Sequence, residues 1–160
     1  MAVKRPRRQC AALPLAMRED GLWIVLLVTS RGSRRWVLPK GWVERGVPDA
    51  EQAAREAFEE AGIVGDIADR PIGRYRYDKR LRTGRCISCR VDVFAMWVSG
   101  RLDDRPEKGQ REAAWFTPAE AAAMVEEAGL ADILRGLDGA PPLPAVRRTA
   151  SPAQTLPTAG

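Results

Sequence analysis

Apolar residues recur with two different periods along the chain, and the switches between them mark its elements. Alternating, β-rich runs predict strands at 9–17, 22–29 and 36–38, the first two joined into a hairpin by the turn signal Glu19-Asp20-Gly21. Pro14 predicts an edge position or a bulge in the first of them, since proline cannot donate to a ladder. Residues 64–69 and 72–77 read as extended, 87–98 as a long strand and 113–116 as a last one, with polar loops at 78–85 and 100–110. Two stretches take the helical period instead. In the first, Ala54, Ala57, Phe58 and Ala61 form an apolar stripe that must face a core, with Glu56, Glu59 and Glu60 expected on the opposite side. Asp49 with Gln52 offers a capping-box start, and Gly62 a left-handed stop. In the second, Thr117-Pro118 with Glu120 opens a helical run to about Leu137, broken at Gly129, whose Ala121, Met124, Val125 and Ala128 cover a sheet face.

Strands alternating with helices from separate parts of the chain predict an α/β fold, a mixed sheet covered on both faces. The 160 residues suit a single domain. It is expected to occupy 9–138, after a basic flexible arm at 1–8 and before a disordered tail at 139–160, where Pro, Ala, Thr and Ser dominate. The longest apolar run, 22–28, is strand-sized and far short of the ~20 residues of a membrane span. No apolar signal core follows the basic N-terminus, so the expected setting is cytoplasmic and off the membrane.

Charge and chemistry narrow the function. A net charge of +5 favours an anionic partner. Histidine is absent, which removes His triads, His metal sites and imidazole proton shuttles, so carboxylates must supply any metal or base chemistry. Cys86 and Cys89 have C-x-x-C spacing, but Cys10 is the only other cysteine and no zinc site can be completed; reduced, structural thiols are expected. Three glutamates within one helical turn repel one another. They form either a solvated acidic face or a site for a hard cation that cancels the repulsion. The segment upstream favours the second, because a rigid Leu38-Pro39-Lys40-Gly41 turn leads straight into the helix.

From Gly41 to Ile63 the spacing resembles the Nudix box, Gly, five residues, Glu, seven residues, then R-E-apolar-x-E-E-x-G-apolar. Arg55-Glu56-Ala57-Phe58-Glu59-Glu60-Ala61-Gly62-Ile63 matches the second half at the right distance from Gly41. One position departs: Val47 stands where the family has its first Glu, which usually supports the loop and helix through the box arginine, and Glu44 is the nearby acid that would compensate. The resemblance implies a Nudix-type α/β/α sandwich and a Mg²⁺- or Mn²⁺-dependent hydrolase. Gly41 (through its carbonyl), Glu56, Glu59 and Glu60 are the implied metal residues, and Glu56, Glu59 and Glu60 the catalytic ones. Which glutamate is ligand and which is base stays open.

Basic residues concentrate in the arm, at 31–35 and from Arg74 to Arg90. Together with Thr29-Ser30-Arg31 and with Arg111 before Trp115-Phe116, this layout is most similar to diphosphoinositol polyphosphate phosphohydrolases, a subgroup that often shares dinucleoside polyphosphate substrates. Arg8, Ser30, Arg31, Lys40, Arg80 and Arg111 are the phosphate-contact candidates. Trp36, Trp42 and Tyr77 either stack on a base or serve in packing. The expectation is hydrolysis of a phosphoanhydride in a polyphosphorylated small molecule by a monomer or homodimer. The alternatives are a nucleoside triphosphate or RNA 5′-end pyrophosphohydrolase and, favoured by Val47 and the basic arm, a catalytically weak nucleotide- or RNA-binding module.

Overall fold

The strand Arg7–Met17 (β1) lies inside the sheet because it is apolar on both faces. The computed structural model describes residues 5–137 and 146–147. Around β1 are arranged β2 (Trp23–Thr29), β3 (Trp36–Val37), β4 (Lys40–Trp42), β5 (Ile63–Ala68), β6 (Gly73–Arg80), β7 (Cys86–Arg101), β8 (Ala113–Phe116) and β9 (Val146–Arg147), with helices α1 (Asp49–Ala61), α2 (Pro118–Met124) and α3 (Ala128–Gly136). On one side β1 pairs in parallel with β7; on the other it pairs antiparallel with β4 over Gln9–Ala11 and with β2 over Leu15–Met17. The remaining ladders are antiparallel, so the sheet is mixed.

Alternation then sorts side chains into two cores. Cys10, Ala12, Leu26, Val28, Phe94 and Met96 face α1, whose Ala50, Ala53, Ala57 and Ala61 pack on them. Ala11, Leu13, Leu15, Val25, Leu27, Val91 and Val93 face α2 and α3, meeting Ala121, Ala122, Leu130 and Leu134. The expected α/β/α sandwich is present.

Local expectations shift in instructive ways. Pro14 sits in an interior strand, not at an edge, and falls in the gap between the β4 and β2 ladders, where its missing N–H interrupts no paired register on that side. The Leu38–Gly41 turn contains the start of a strand, β4. Arg7 and Arg8 belong to β1 rather than to an arm, and the loop expected from Asp78 begins only after Arg80. The helical run from Thr117 breaks between Met124 and Ala128, not at Gly129, and Met124 is exposed. Thr117 does cap α2, accepting from the N–H of Glu120. Residues 1–4 of the arm and all of the 139–160 tail except Val146–Arg147 lie outside the described residues; that pair joins β5 in an antiparallel ladder. Among the described residues no helix is long and apolar enough to cross a membrane. Cys86 is exposed and Cys89 buried, both free. Three positions apart on one strand, the two thiols point to opposite faces and cannot share a metal.

Gly129 shows how closely α3 lies on β6: a Cβ built there would come within 2.7 Å of the Tyr75 Cβ. Gly129→Val is therefore expected to lower unfolding stability by about 1–3 kcal/mol through overpacking, read from urea titration; an unchanged midpoint would show that the helix can lift away at no cost.

Candidate functional site

α1 begins one residue earlier in function than its capping pattern suggests. Pro48 occupies the N-cap with no side-chain bond, and Asp49, the expected cap, is the first helical residue, its carboxylate pairing with Arg8. Gln52, expected to complete the box, donates instead to Glu56 Oε1 at 2.8 Å. At the other end Gly62 adopts φ 70° and returns its N–H to the Phe58 carbonyl; a Cβ here would meet the Leu102 carbonyl at 2.0 Å. No other residue meets both demands.

The buried stripe of α1 is Ala50, Ala53, Ala57 and Ala61, with Ala54 and Phe58 half-buried at its flank. This rotates the helix from the expected orientation. Glu60 is buried at 5% exposure, on the border of the apolar stripe, and Glu56 one turn earlier is half-buried beside it. The three glutamates therefore do not share one solvent face. The buried stripe is made of alanines, with the larger Phe58 at its flank rather than its centre, so periodicity alone did not orient it.

Both glutamates lean on β4. The N–H of Lys40 donates to Glu60 Oε2 at 3.1 Å. Glu56 lies so close to Gly41 that a Cβ on that glycine would fall 2.1 Å from Glu56 Oε1. Burial pushes both carboxyls above the usual range. Glu60 rises to about 8, with Arg111 pulling it back and Glu56 adding to it. Glu56 rises less, with Gln52 opposing and Glu59 reinforcing. Glu59 is half-buried, and among the described residues its carboxylate has no hydrogen-bond partner.

Arg111 holds this arrangement from the other side. Its guanidinium forms an ion pair from Nη2 to Glu60 Oε1 at 3.0 Å and donates from Nε to Glu107 Oε1 at 3.0 Å and from Nη1 to the Thr29 carbonyl at 3.1 Å. All three nitrogens are committed and the side chain is 10% exposed, so the structure gives Arg111 a positioning contact with Glu60 rather than a free phosphate grip. Glu107 joins Arg111 to Arg31, whose Nε is 3.7 Å away, and the Glu107 N–H donates to the Glu59 carbonyl. Glu107 was not singled out as a site residue; nothing in spacing links a loop carboxylate to a helix forty-odd residues earlier.

The remaining candidates divide. Lys40 is half-buried over the Tyr77 ring, and Arg31 is exposed beside Gln110. Ser30 uses its hydroxyl within its own loop, bonding Ser33 and accepting from the N–H of Arg35. Arg8 is tied to Asp49 and to the buried Asp92, away from the glutamates. Arg80 is exposed at the last position of β6 and, among the described residues, has no ion pair. Near Val47, Arg55 pairs with Glu44 at 3.4 Å and also reaches the Gln52 carbonyl oxygen. Glu44 thus supplies the acid that position 47 lacks, as a solvent-exposed pair worth about 0–1 kcal/mol.

The donor set fits a hard divalent ion in kind. It comprises carboxylate and carbonyl oxygens only, burial raises the pKa of both Glu56 and Glu60 with a neighbouring glutamate adding to each, and Gly41 leaves room for Glu56 against the main chain. Among the described residues no three acidic or thiol side chains already converge as a cage, because Glu60 is turned to Arg111 and Lys40 and Glu56 to Gln52.

Comparison with known proteins agrees with this geometry. The NUDIX domain profile matches residues 6–137. Nudix hydrolase 12, mitochondrial, of Arabidopsis thaliana is 36% identical over 103 residues, covering 62% of this chain and 51% of that relative. An RNA pyrophosphohydrolase of Erythrobacter litoralis is 37% identical over 73 residues, 46% of this chain and 44% of that protein. The chain spans about half the length of the curated relatives it matches first, 51% and 52%. Among solved structures, a C. elegans Ap4A hydrolase in a binary complex aligns with a TM-score of 0.59 at 18% identity, covering 82% of this chain and 95% of that one, a likeness of fold.

Two outcomes follow from the contacts of β4 with α1. Gly41→Ala moves the Glu56 carboxylate without touching a core, so Mn²⁺ affinity measured by electron paramagnetic resonance is expected to fall about tenfold or more while the melting temperature stays nearly constant; unchanged affinity would remove Glu56 from the site. Glu60, with a folded pKa above its ordinary 4.5, holds its proton longer in the native state. Its contribution to stability is therefore lost as pH rises from about 4.5 toward 8. In EDTA, Glu60→Gln should gain on the wild type in urea unfolding across that window, and a difference that is flat with pH would contradict the burial assigned to this carboxyl.

Proposed function

The chain belongs to the NUDIX family, and we propose that within it the protein is a divalent-metal-dependent pyrophosphohydrolase of polyphosphorylated small molecules, diphosphoinositol polyphosphates or dinucleoside polyphosphates. The observation that carries this is the seating of Glu56 and Glu60 against the Lys40-Gly41 backbone, beside a half-buried lysine and a loop arginine. Glu56, Glu60 and the Gly41 carbonyl would hold the ion, with Glu59 as a further ligand or as the base. When bound, Mg²⁺ or Mn²⁺ supplies an acidified water and neutralises charge on the pyrophosphate. The chain's own part is positional. Arg111 and the Lys40 N–H fix both oxygens of Glu60, and Gln52 fixes Glu56. Glu59, whose carboxylate has no partner among the described residues, would accept a proton from an attacking water. Arg31 is near enough through Glu107 to face the substrate's phosphates.

A second reading, cleavage of 5′-triphosphate RNA or nucleoside triphosphates, has a specific observation behind it in the local similarity to an RNA pyrophosphohydrolase. The non-hydrolytic binding module has less support from the structure than Val47 first suggested, since Arg55 has Glu44 as its acid.

Phosphate or nucleotide release from a panel of diphosphoinositol polyphosphates, dinucleoside polyphosphates, nucleoside triphosphates and 5′-triphosphate RNA tests these readings together. Release is expected to require Mg²⁺ or Mn²⁺ and to fall about 10²-fold or more in Glu60→Gln. Turnover of RNA alone would favour the second reading, and a folded Glu60→Gln protein with full turnover would reject the site.

A further inference from the structure

β4 is only three residues long, yet it separates two surfaces. Gly41 faces α1 and the glutamates. Lys40 and Trp42, its neighbours, face the other side, opposite Ala11 and Gln9 of β1. On that side the Tyr77 hydroxyl donates to Gln9 Oε1 at 2.6 Å, so a β6 side chain reaches across β7 to β1, the strand that pairs with β4. Three cations gather over the two rings. The Arg7 guanidinium lies 4.5 Å from the centre of Trp42 and the Lys79 ammonium 5.1 Å from the same ring, while the Lys40 ammonium lies 5.4 Å from the centre of Tyr77.

None of these cations is neutralised by contact. Among the described residues, Arg7, Lys40 and Lys79 have no carboxylate within ion-pair distance. The acids nearest in effect, Glu60 and Glu127, act on Lys40 without touching it, and they are already bound to Arg111 and Arg35. Other cations such as Arg80 also lack an acidic partner among the described residues, but these three are set apart by converging on two neighbouring rings. Bringing like charges together with no counter-ion is unfavourable, and the aromatic faces offset only part of that cost. An anion placed among the three relieves what the rings leave. Because the rings already carry cations, the surface is organised for phosphate rather than for stacking a base.

We propose that Arg7, Lys40 and Lys79, set over Trp42 and Tyr77, form a subsite for the phosphoryl groups of the substrate that lie beyond the pair being cleaved. It rests on the hydrolase reading for what the occupant is, but its chemistry is independent of turnover: a linear or clustered polyphosphate of three or more groups is held in preference to pyrophosphate. The location, one residue either side of Gly41, makes such a subsite a selector of substrate length. It adds Arg7 and Lys79 to the residues that sequence spacing pointed to.

Calorimetry in EDTA with inorganic tripolyphosphate and pyrophosphate tests this without catalysis. Wild-type protein is expected to bind tripolyphosphate more tightly than pyrophosphate, and Arg7→Gln and Lys79→Gln each to weaken tripolyphosphate about tenfold. Lys79→Arg should retain binding, and Glu60→Gln should bind tripolyphosphate at least as well as wild type. On whichever panel substrate turns over, the two cation variants should raise KM and leave kcat nearly unchanged. Circular dichroism melting of each variant controls for folding. A double variant Arg7→Gln/Lys79→Gln with unchanged tripolyphosphate affinity and KM overturns the subsite while leaving the hydrolase reading intact. Binding lost equally in Glu60→Gln also overturns it, since the phosphates would then sit on the α1 side. No turnover across the panel with cation-dependent tripolyphosphate binding supports the subsite and rejects the hydrolase.

Discussion

A carboxylate taken out of water has to be paid for, and Glu60 is the point at which this chain meets that demand. One of its oxygens accepts from the Lys40 N–H and the other is ion-paired with Arg111, which itself spans to Glu107 and to the Thr29 carbonyl. Four separate segments are thereby registered on one side chain: β4, α1, the loop before β8 and the end of β2. Pairs of this kind add little net stability compared with an apolar core, but removing one partner costs about 3–5 kcal/mol. The arrangement fixes geometry more than it supplies stability, which comes from the two apolar layers beneath it.

That division explains what could be seen in the sequence. Both cores were legible because period two and period 3.6 leave marks in any window of a dozen residues, and Leu26, Val28, Leu13 and Val91 fall where alternation puts them. The αL stop at Gly62 and the Thr117 cap were legible because each depends on residues within four of itself. The Gly41–Ile63 segment was legible by resemblance. What escaped were the features set by distant partners. Asp49 would cap its helix in isolation, but Arg8, forty-one positions away, offers a charged partner instead. α1 is oriented by how alanines fit under Cys10, Phe94 and Met96, and a stripe of alanines with Phe58 at its flank is not sharp enough to foretell it. Glu107 reads in sequence as one acid of a polar loop and Arg7 as one charge of a basic arm, because their significance lies in what faces them.

The departure at position 47 shows how a charge relation can outlast the residue that usually carries it. What the helix needs is an acid within reach of Arg55, and the loop from Val43 to Pro48 offers one at Glu44. An exposed ion pair is weak and tolerant of geometry, so its acid can move three positions along a loop without disturbing α1. The same substitution would fail at Glu60. That carboxylate is buried between two fixed donors, where a shift of one position on the helix turns the side chain through about 100° and out of both contacts.

Strand alternation carries the same logic to the substrate. Because successive side chains on β4 point oppositely, the residue that admits Glu56 to the main chain is flanked by two that point to the other face of the strand, Lys40 sensing Glu60 only through space. On the subsite proposed above, a ligand engaging both sides crosses β4 at the edge away from β1, and a flexible, multiply charged chain would do so while keeping an anhydride at the carboxylates. Rigid monoanionic ligands would be confined to one face. If that subsite is occupied, the short strand β4 sets a minimum reach for the substrate by backbone geometry, before any side chain discriminates between an inositol ring and a nucleoside.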